Sequence, residues 1–344
     1  MSSGGFRGVV AQGGSSFSVD PWDPSYGVAF GEELTGDALH QSTAELNLDL
    51  ELPVGRWQPL TANDHEHVPS TILFLDGVRR IDARVWLHAG DAQPAPGIAA
   101  SYAAGLVCLN GTAQISDVAV ERGLFTAAAE ASDIDSRHAR YVARKAAGPG
   151  MDQLSLALQQ HLSETEVRLA VLFRAAHPDA GDLLFVDGPL RGRSHLDRTI
   201  GYIKTHHTTY LPPAQAAVVG ALRPGQRTPA FTMGTSWRRQ SWYLRLPTGG
   251  SRGVVPQGQN GSGSAPWAGV VRLECSADLP LPEVRRLANL SALLLPPLAS
   301  APHKDPRAPQ NLVPIGGLER ELRRRLGDQQ LLFRSLAVAA RDAS

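Results

Sequence analysis

Apolar and polar positions along the chain fall into three patterns. The first is a short apolar run with no polar alternate, found at Leu73-Phe74-Leu75 and again at Leu184-Phe185-Val186. Such runs predict strands covered on both faces. Each run surfaces at an Asp-Gly pair, Asp76-Gly77 and Asp187-Gly188, and each has an arginine four residues beyond its aspartate, Arg80 and Arg191. The second pattern is strict alternation from Ala44 to Leu52, which predicts a half-exposed strand with an acidic outer face. The third is helical spacing. Leu154, Leu158, Leu162, Leu169, Leu172 and Phe173 place an apolar stripe on a helix over Met151–Ala176. A second helix is expected over Leu281–Leu295. A third, about Ile315–Ala340, turns Leu318, Leu322, Leu326 and Leu332 inward and Arg320, Arg323, Arg324 and Arg325 outward.

Taken in order, the patterns predict a strand over 71–76 and its return over 80–88, with Asp76-Gly77 at the turn between them. Strands over 97–110 and 111–120 complete an antiparallel meander; residues 121–150 show no clear period. The Met151–Ala176 helix then feeds the buried strand Leu183–Asp187, followed by a strand over Thr199–His206 that carries Lys204. Pro212-Pro213 opens a short helix to Leu222, and further strands are expected at Phe231, Ser241–Leu246 and Val270–Cys275. Residues 1–25 are Gly/Ser-rich and read as a flexible terminus, and 248–266 as a mobile loop. The remainder, 26–344, reads as a single domain with its core at about 70–340. Antiparallel strands, then a helix, a buried strand and C-terminal helices predict an α/β fold, a ribonuclease-H-like mixed β-sheet flanked by helices.

Composition narrows the choices. Lys+Arg and Asp+Glu balance at 33 each in 344 residues, so no global field points to a polyanion, although arginines gather at 191–198, 238–245 and 304–325. Cys108 and Cys275 stand alone, matching neither a disulfide framework nor zinc spacing. There is no run of apolar residues long enough to span a membrane and no signal-peptide pattern at the start, which leads us to expect a cytoplasmic protein. No Gly-Lys-Ser/Thr follows Gly316-Gly317, so ATP chemistry would fall to a partner.

An aspartate at the point where a buried strand emerges is held by rigid backbone and faces the edge of the sheet, where α/β folds bind ligands. Two such aspartates on neighbouring strands, Asp76 and Asp187, suit a divalent cation over a phosphodiester. Oxygen ligands favour magnesium or manganese over zinc. A third carboxylate is expected from the helix before Asp187, at Glu166 or Glu164. Ser163-x-x-Glu166 equally fits a capping box. Lys204, one of three lysines in the chain, suits a point contact to a scissile phosphate. His206-His207 point to opposite faces of a strand and read as surface residues. Arg80 and Arg191 are candidates for the nucleic-acid backbone or for holding the carboxylates. Arg238, Arg239 and Arg245, interleaved with Trp237 and Trp242, suit a groove that tracks phosphates and stacks bases.

The two strand-Asp-Gly elements, with Gly201-Tyr202-Ile203-Lys204 and Trp242-Tyr243-Leu244-Arg245-Leu246, resemble the NurA nuclease family over roughly residues 70–340. The resemblance implies a ribonuclease-H-like fold and a manganese-dependent (or magnesium-dependent) DNA nuclease, a 5′→3′ exonuclease with single-strand endonuclease activity. It also implies a homodimer that works with a HerA-type hexameric ATPase in DNA end resection. It maps the first metal aspartate to Asp76, the later one to Asp187, and a lysine to Lys204. The family has Asp-Gly-Ser where this chain has Val78 and Pro189 after its glycines. It also has a C-terminal tyrosine and, some eight residues on, a catalytic histidine; here the tyrosine is missing and His303 is the histidine of that stretch. The alternatives are a catalytically degenerate relative that binds DNA or the ATPase, and a structural protein whose Asp-Gly pairs are only turns.

Overall fold

Strand β1 (Ile72–His88) is the axis of the fold, and it runs unbroken through Asp76-Gly77. The expected turn and returning strand are one 17-residue strand. The physical reason lies at Gly77. A β-carbon built there would stand 2.6 Å from Glu166 Oε1 and 2.7 Å from Leu162 Cδ1, so the glycine marks a helix packed tightly onto the strand. In the computed structural model of the chain, residues 16–21, 40–41, 44–62, 65–88, 93–178, 181–205, 208–234, 237–248, 267–303 and 305–343 are described. Residues 1–15, 22–39, 249–266 and His206-His207 lie outside these; within the terminus expected to be flexible over 1–25, Ser16–Val19 is instead a strand paired antiparallel with the end of β1.

β1 pairs antiparallel with β2 (Ala95–Asn110), and β2 with β3 (Thr112–Thr126), forming the expected meander with longer strands than the pattern suggested. β4 (Ala139–Lys145) adds parallel to β3. Helix α1 (Met151–Ala176) then crosses back and leads into β5 (Leu183–Asp187), which lies parallel to β1. β6 (Thr199–Ile203) continues parallel to β5. After α2 (Pro213–Ala221), the sheet is extended by β7 (Phe231–Gly234), β8 (Arg238–Arg245) and β9 (Val270–Ser276), all antiparallel to their neighbours. Helices α3 (Leu281–Leu294), α4 (Val313–Arg325) and α5 (Gln329–Asp342) close the chain. In space the strands run β7-β8-β9-β6-β5-β1-β2-β3-β4, within one mixed sheet of fourteen strands among the described residues. The expected single C-terminal helix is two, because Gly327, at φ 82°, ends α4 in the left-handed region.

The apolar runs that opened the sequence have no solvated face because β1 and β5 are sandwiched between helices. Leu73 and Leu75, with Leu184 and Val186, face α1 and pack with Leu154, Leu158, Leu162 and Phe173. Phe74, Val78 and Phe185 point the other way, towards Leu287, Leu290, Leu318 and Leu322 of α3 and α4. Phe74 and Phe185 stack with centroids 5.5 Å apart. Each fully buried leucine or phenylalanine adds about 2–3 kcal/mol of hydrophobic stabilisation, so the register of these two strands is firmly set.

Candidate metal centre

Strand parity decides what meets at the site. Side chains alternate faces along a strand, so Asp76 shares the α4-facing side of β1 with Phe74 and Val78, and Asp187 shares that side of β5 with Phe185. Leu75 and Val186 are register partners, so the next step along both strands sets Asp187 beside Asp76. Helix α4 passes over this face and brings in Glu319. One carboxylate oxygen from each of Asp76, Asp187 and Glu319 lies within 4.8 Å of the others. These residues form part of the wall of a cavity of about 1600 Å³.

Three acids this close need compensation, and part of it comes from two cations. Lys204 Nζ lies 2.7 Å from Asp187 Oδ2 and 3.6 Å from Glu319 Oε1. It also donates to Asn311 Oδ1 at 3.3 Å. Arg307 grips Glu319 from the solvent side, with Nη2 2.5 Å from Oε2. Asp76 receives neither cation by contact. Its Oδ1 accepts the Gly77 amide at 2.7 Å. Its Oδ2 is shielded from solvent and has no hydrogen-bond partner among the described residues.

The protonation equilibria follow from this imbalance. Burial, and after it the charge of Asp187, push the Asp76 carboxyl well above the usual carboxylate range. Asp187 is raised as well, by burial first, with Lys204 pulling the other way. Burial opposes the charge on Lys204, but Asp187 outweighs it and holds the ammonium above its ordinary value. Glu319 ends below its ordinary value: burial would raise it, and the bonds from Arg307 together with Lys204 overcome that. A shielded oxygen with no donor, inside an all-carboxylate donor set, fits a hard divalent cation.

Glu166 sits on the other side of the sheet. It lies mid-helix on α1, against Gly77, and is buried in an ion pair with Arg193, which also donates to Ser163 Oγ at 3.0 Å. Burial pushes it up to about 7 against the pull of Arg193, with Asp187 adding to the rise. Its oxygens are not among the three that converge. The capping-box alternative fails because α1 runs unbroken from Met151, leaving Ser163 and Glu166 far from its start. Glu164 is exposed and pairs with His161.

The loop after β5 is pinned from below. The Leu190 amide donates to Glu274 Oε1 at 2.7 Å, and Glu274, fully buried on β9, is held by Arg272 at 2.8 Å and Arg239 at 3.2 Å. Gly188, at φ 100°, turns the chain out of the strand there and returns its amide to the Tyr202 carbonyl at 2.8 Å.

Several expected nucleic-acid contacts are corrected by burial. Trp242 is fully buried on the interior strand β8, its indole donating to Ser291 Oγ at 3.0 Å, so it offers no face to a base. Arg239 is spent on Glu274 and on stacking over Trp237. Arg80 binds Asp82 at 2.8 Å and caps α4 through the Gly327 carbonyl at 2.8 Å, so it neither reaches a phosphate nor holds the site acids. Arg238 is exposed but outside the cavity, and so is His303. The C-terminal stretch does reach the site, through Arg307 and Asn311. Arg191 lines the cavity. Glu319 and Arg307 were missed in the sequence. The signal for Glu319 is its place on the buried stripe, a carboxylate between Ile315, Leu318 and Leu322.

No protein-family model matches the chain, and no curated protein does. The crystal structure of the NurA nuclease from Sulfolobus solfataricus is similar to it. The match has a TM-score of 0.42 and 12% identity, over 78% of this chain and 84% of that one. No described helix is long and apolar enough to cross a membrane.

Proposed function

We propose that this chain is a divalent-cation-dependent phosphodiesterase that cuts DNA, a nuclease. The observation that carries the reading is the buried carboxylate of Asp76, its Oδ2 without a donor, clustered with Asp187 and Glu319 beside a charged lysine. The strand order β3-β2-β1-β5-β6, with β5 parallel to a β1 that heads an antiparallel meander, supports the ribonuclease-H-like version of the fold. Asp76, Asp187 and Glu319 would hold the cation, magnesium or manganese. Bound there, it would supply Lewis-acid polarisation of a phosphoryl group and ease the ionisation of water.

The chain's own groups do the rest. Lys204 keeps its proton and presents a fixed positive charge where a phosphoryl group gains negative charge. Arg307 holds Glu319 in place. Tyr202, buried beneath the cluster, donates its hydroxyl to the Gln310 carbonyl at 2.6 Å and ties the C-terminal segment to β6. DNA ends as the substrate, the HerA-type ATPase and the homodimer belong to the same proposal.

The test is end-labelled DNA incubated with manganese or magnesium and with a chelator. Cleavage is expected only with the cation, and Asp187→Asn is expected to slow it by at least about 100-fold while the circular dichroism spectrum stays unchanged. Cleavage at the wild-type rate by a homogeneous Asp187→Asn preparation overturns the assignment.

A further inference from the structure

The cations lining the cavity divide into two sets. Most are already engaged: Lys204 by Asp187, Arg307 by Glu319, Arg193 by Glu166, Arg168 by Glu121 and Arg79 by the Gln159 side-chain oxygen. Arg191 and Arg323 also line it, both are exposed, and neither has an ion pair or hydrogen bond among the described residues. Each stands four residues beyond an acid of the cluster: Arg191 beyond Asp187 on the loop, Arg323 beyond Glu319, one turn further along α4.

Both are carried by rigid backbone. On one side of Arg191 the Leu190 amide is bound to buried Glu274, and two residues on Arg193 is bound to buried Glu166. Arg323 follows Leu322 on a helix whose Leu318, Leu322 and Leu326 are all packed in the core. Two guanidinium groups with no ion pair or hydrogen bond among the described residues, fixed on two separate elements beside an acid cluster, match the planar, bidentate demand of phosphate oxygens, although Arg323 is near enough to Glu319 to help hold its carboxyl down.

We propose that Arg191 and Arg323 grip backbone phosphates beside the one at the acid cluster. The ligand is then a nucleotide chain rather than an isolated phosphate ester. This inference rests on the nuclease reading for the identity of the ligand, but its mark is a binding property and does not require cleavage.

The experiment measures binding of a fluorescein-labelled single-stranded oligothymidylate by anisotropy over a salt series, with EDTA present so that nothing is cut. It compares the wild type, Arg191→Ala, Arg323→Ala and the double variant. Arg320→Ala, an exposed arginine of the same helix outside the cavity, is the charge-matched control. Each cavity variant is expected to weaken binding by about tenfold at low salt. Each should also flatten the slope of log K against log salt by about 0.7, the double variant by the sum, and Arg320→Ala by neither. In manganese, KM for the oligonucleotide should rise more than kcat falls. Equal effects from Arg320→Ala and Arg323→Ala, or slopes unchanged in the cavity variants, overturn the grip even if the wild type cleaves DNA. Loss of slope in the cavity variants of a protein whose wild type never cleaves supports the grip and removes the nuclease reading. No binding by the wild type overturns the grip.

Discussion

Two buried charge clusters flank strand β6 and balance their charges in opposite ways. On the β9 side, one carboxylate, Glu274, meets two guanidinium groups and a backbone amide, and its charge is matched several times over. On the β5 side, three carboxylates share one lysine and one arginine by contact, and a shielded oxygen of Asp76 has no donor. Buried charges normally come paired and hydrogen-bonded. The first cluster obeys that rule and is a brace for the loop that follows Asp187. The second breaks it, and deficits of this kind collect where a protein binds a cation or does chemistry.

The comparison can be broken most sharply at the brace. Glu274→Ala strands two guanidinium groups in the core, and a loss of about 3–5 kcal/mol in urea unfolding is expected. A loss below about 1 kcal/mol would mean that Glu274 and its two arginines do not form a balanced cluster. The acid cluster should respond with the opposite sign. With a chelator present, Asp76→Asn relieves like-charge repulsion and retains the oxygen facing the Gly77 amide, so a gain of about 1 kcal/mol is expected. Added magnesium or manganese should then raise the melting temperature of the wild type but not of the variant, since only the intact site binds. A variant less stable than the wild type in chelator would contradict the deficit.

The smallest effect concerns a third buried cluster, again a balanced one. Glu51 accepts both Nη atoms of Arg227, at 2.8 and 2.9 Å, and the Ala230 amide at 2.7 Å. Burial would raise Glu51, but Arg227 prevails and holds it below its ordinary 4.5. A depressed carboxylate stabilises the fold above its unfolded pKa. That stability is lost as the pH falls through the lower folded value. The urea midpoint should therefore drop on acidification below about 4.5, and Glu51→Gln should remove part of the drop; an identical pH profile in the variant would show that the pair contributes nothing.

Much of this was legible in the chain. Runs without polar alternates marked β1 and β5, and their terminal aspartates do come side by side, because parity and register are local properties that the sequence carries. Asp-Gly misled at Gly77, since the glycine answers to a helix passing overhead, a contact between residues far apart in sequence. The same blindness hid Glu319. An arginine-rich helix looked like a solvated face, and only the packing of Leu318 and Leu322 turns its acid inward. Trp242 and Arg239 look exposed in the sequence because an edge strand and an interior one carry similar residues, and only sheet order tells them apart.

That β1 does not stop at Asp76 has a mechanical consequence. Held by ladders from β2 along one margin and β5 along the other, the floor bearing the first acid has no hinge and no free end to fray. If the proposed nuclease reading holds, what adjusts to admit a strand of DNA is the surround of that floor and not the floor itself. The turn after Gly188 is braced by buried Glu274 and Glu166, which leaves the stretch from Asp305 to Asn311, tied near the acids by side-chain bonds.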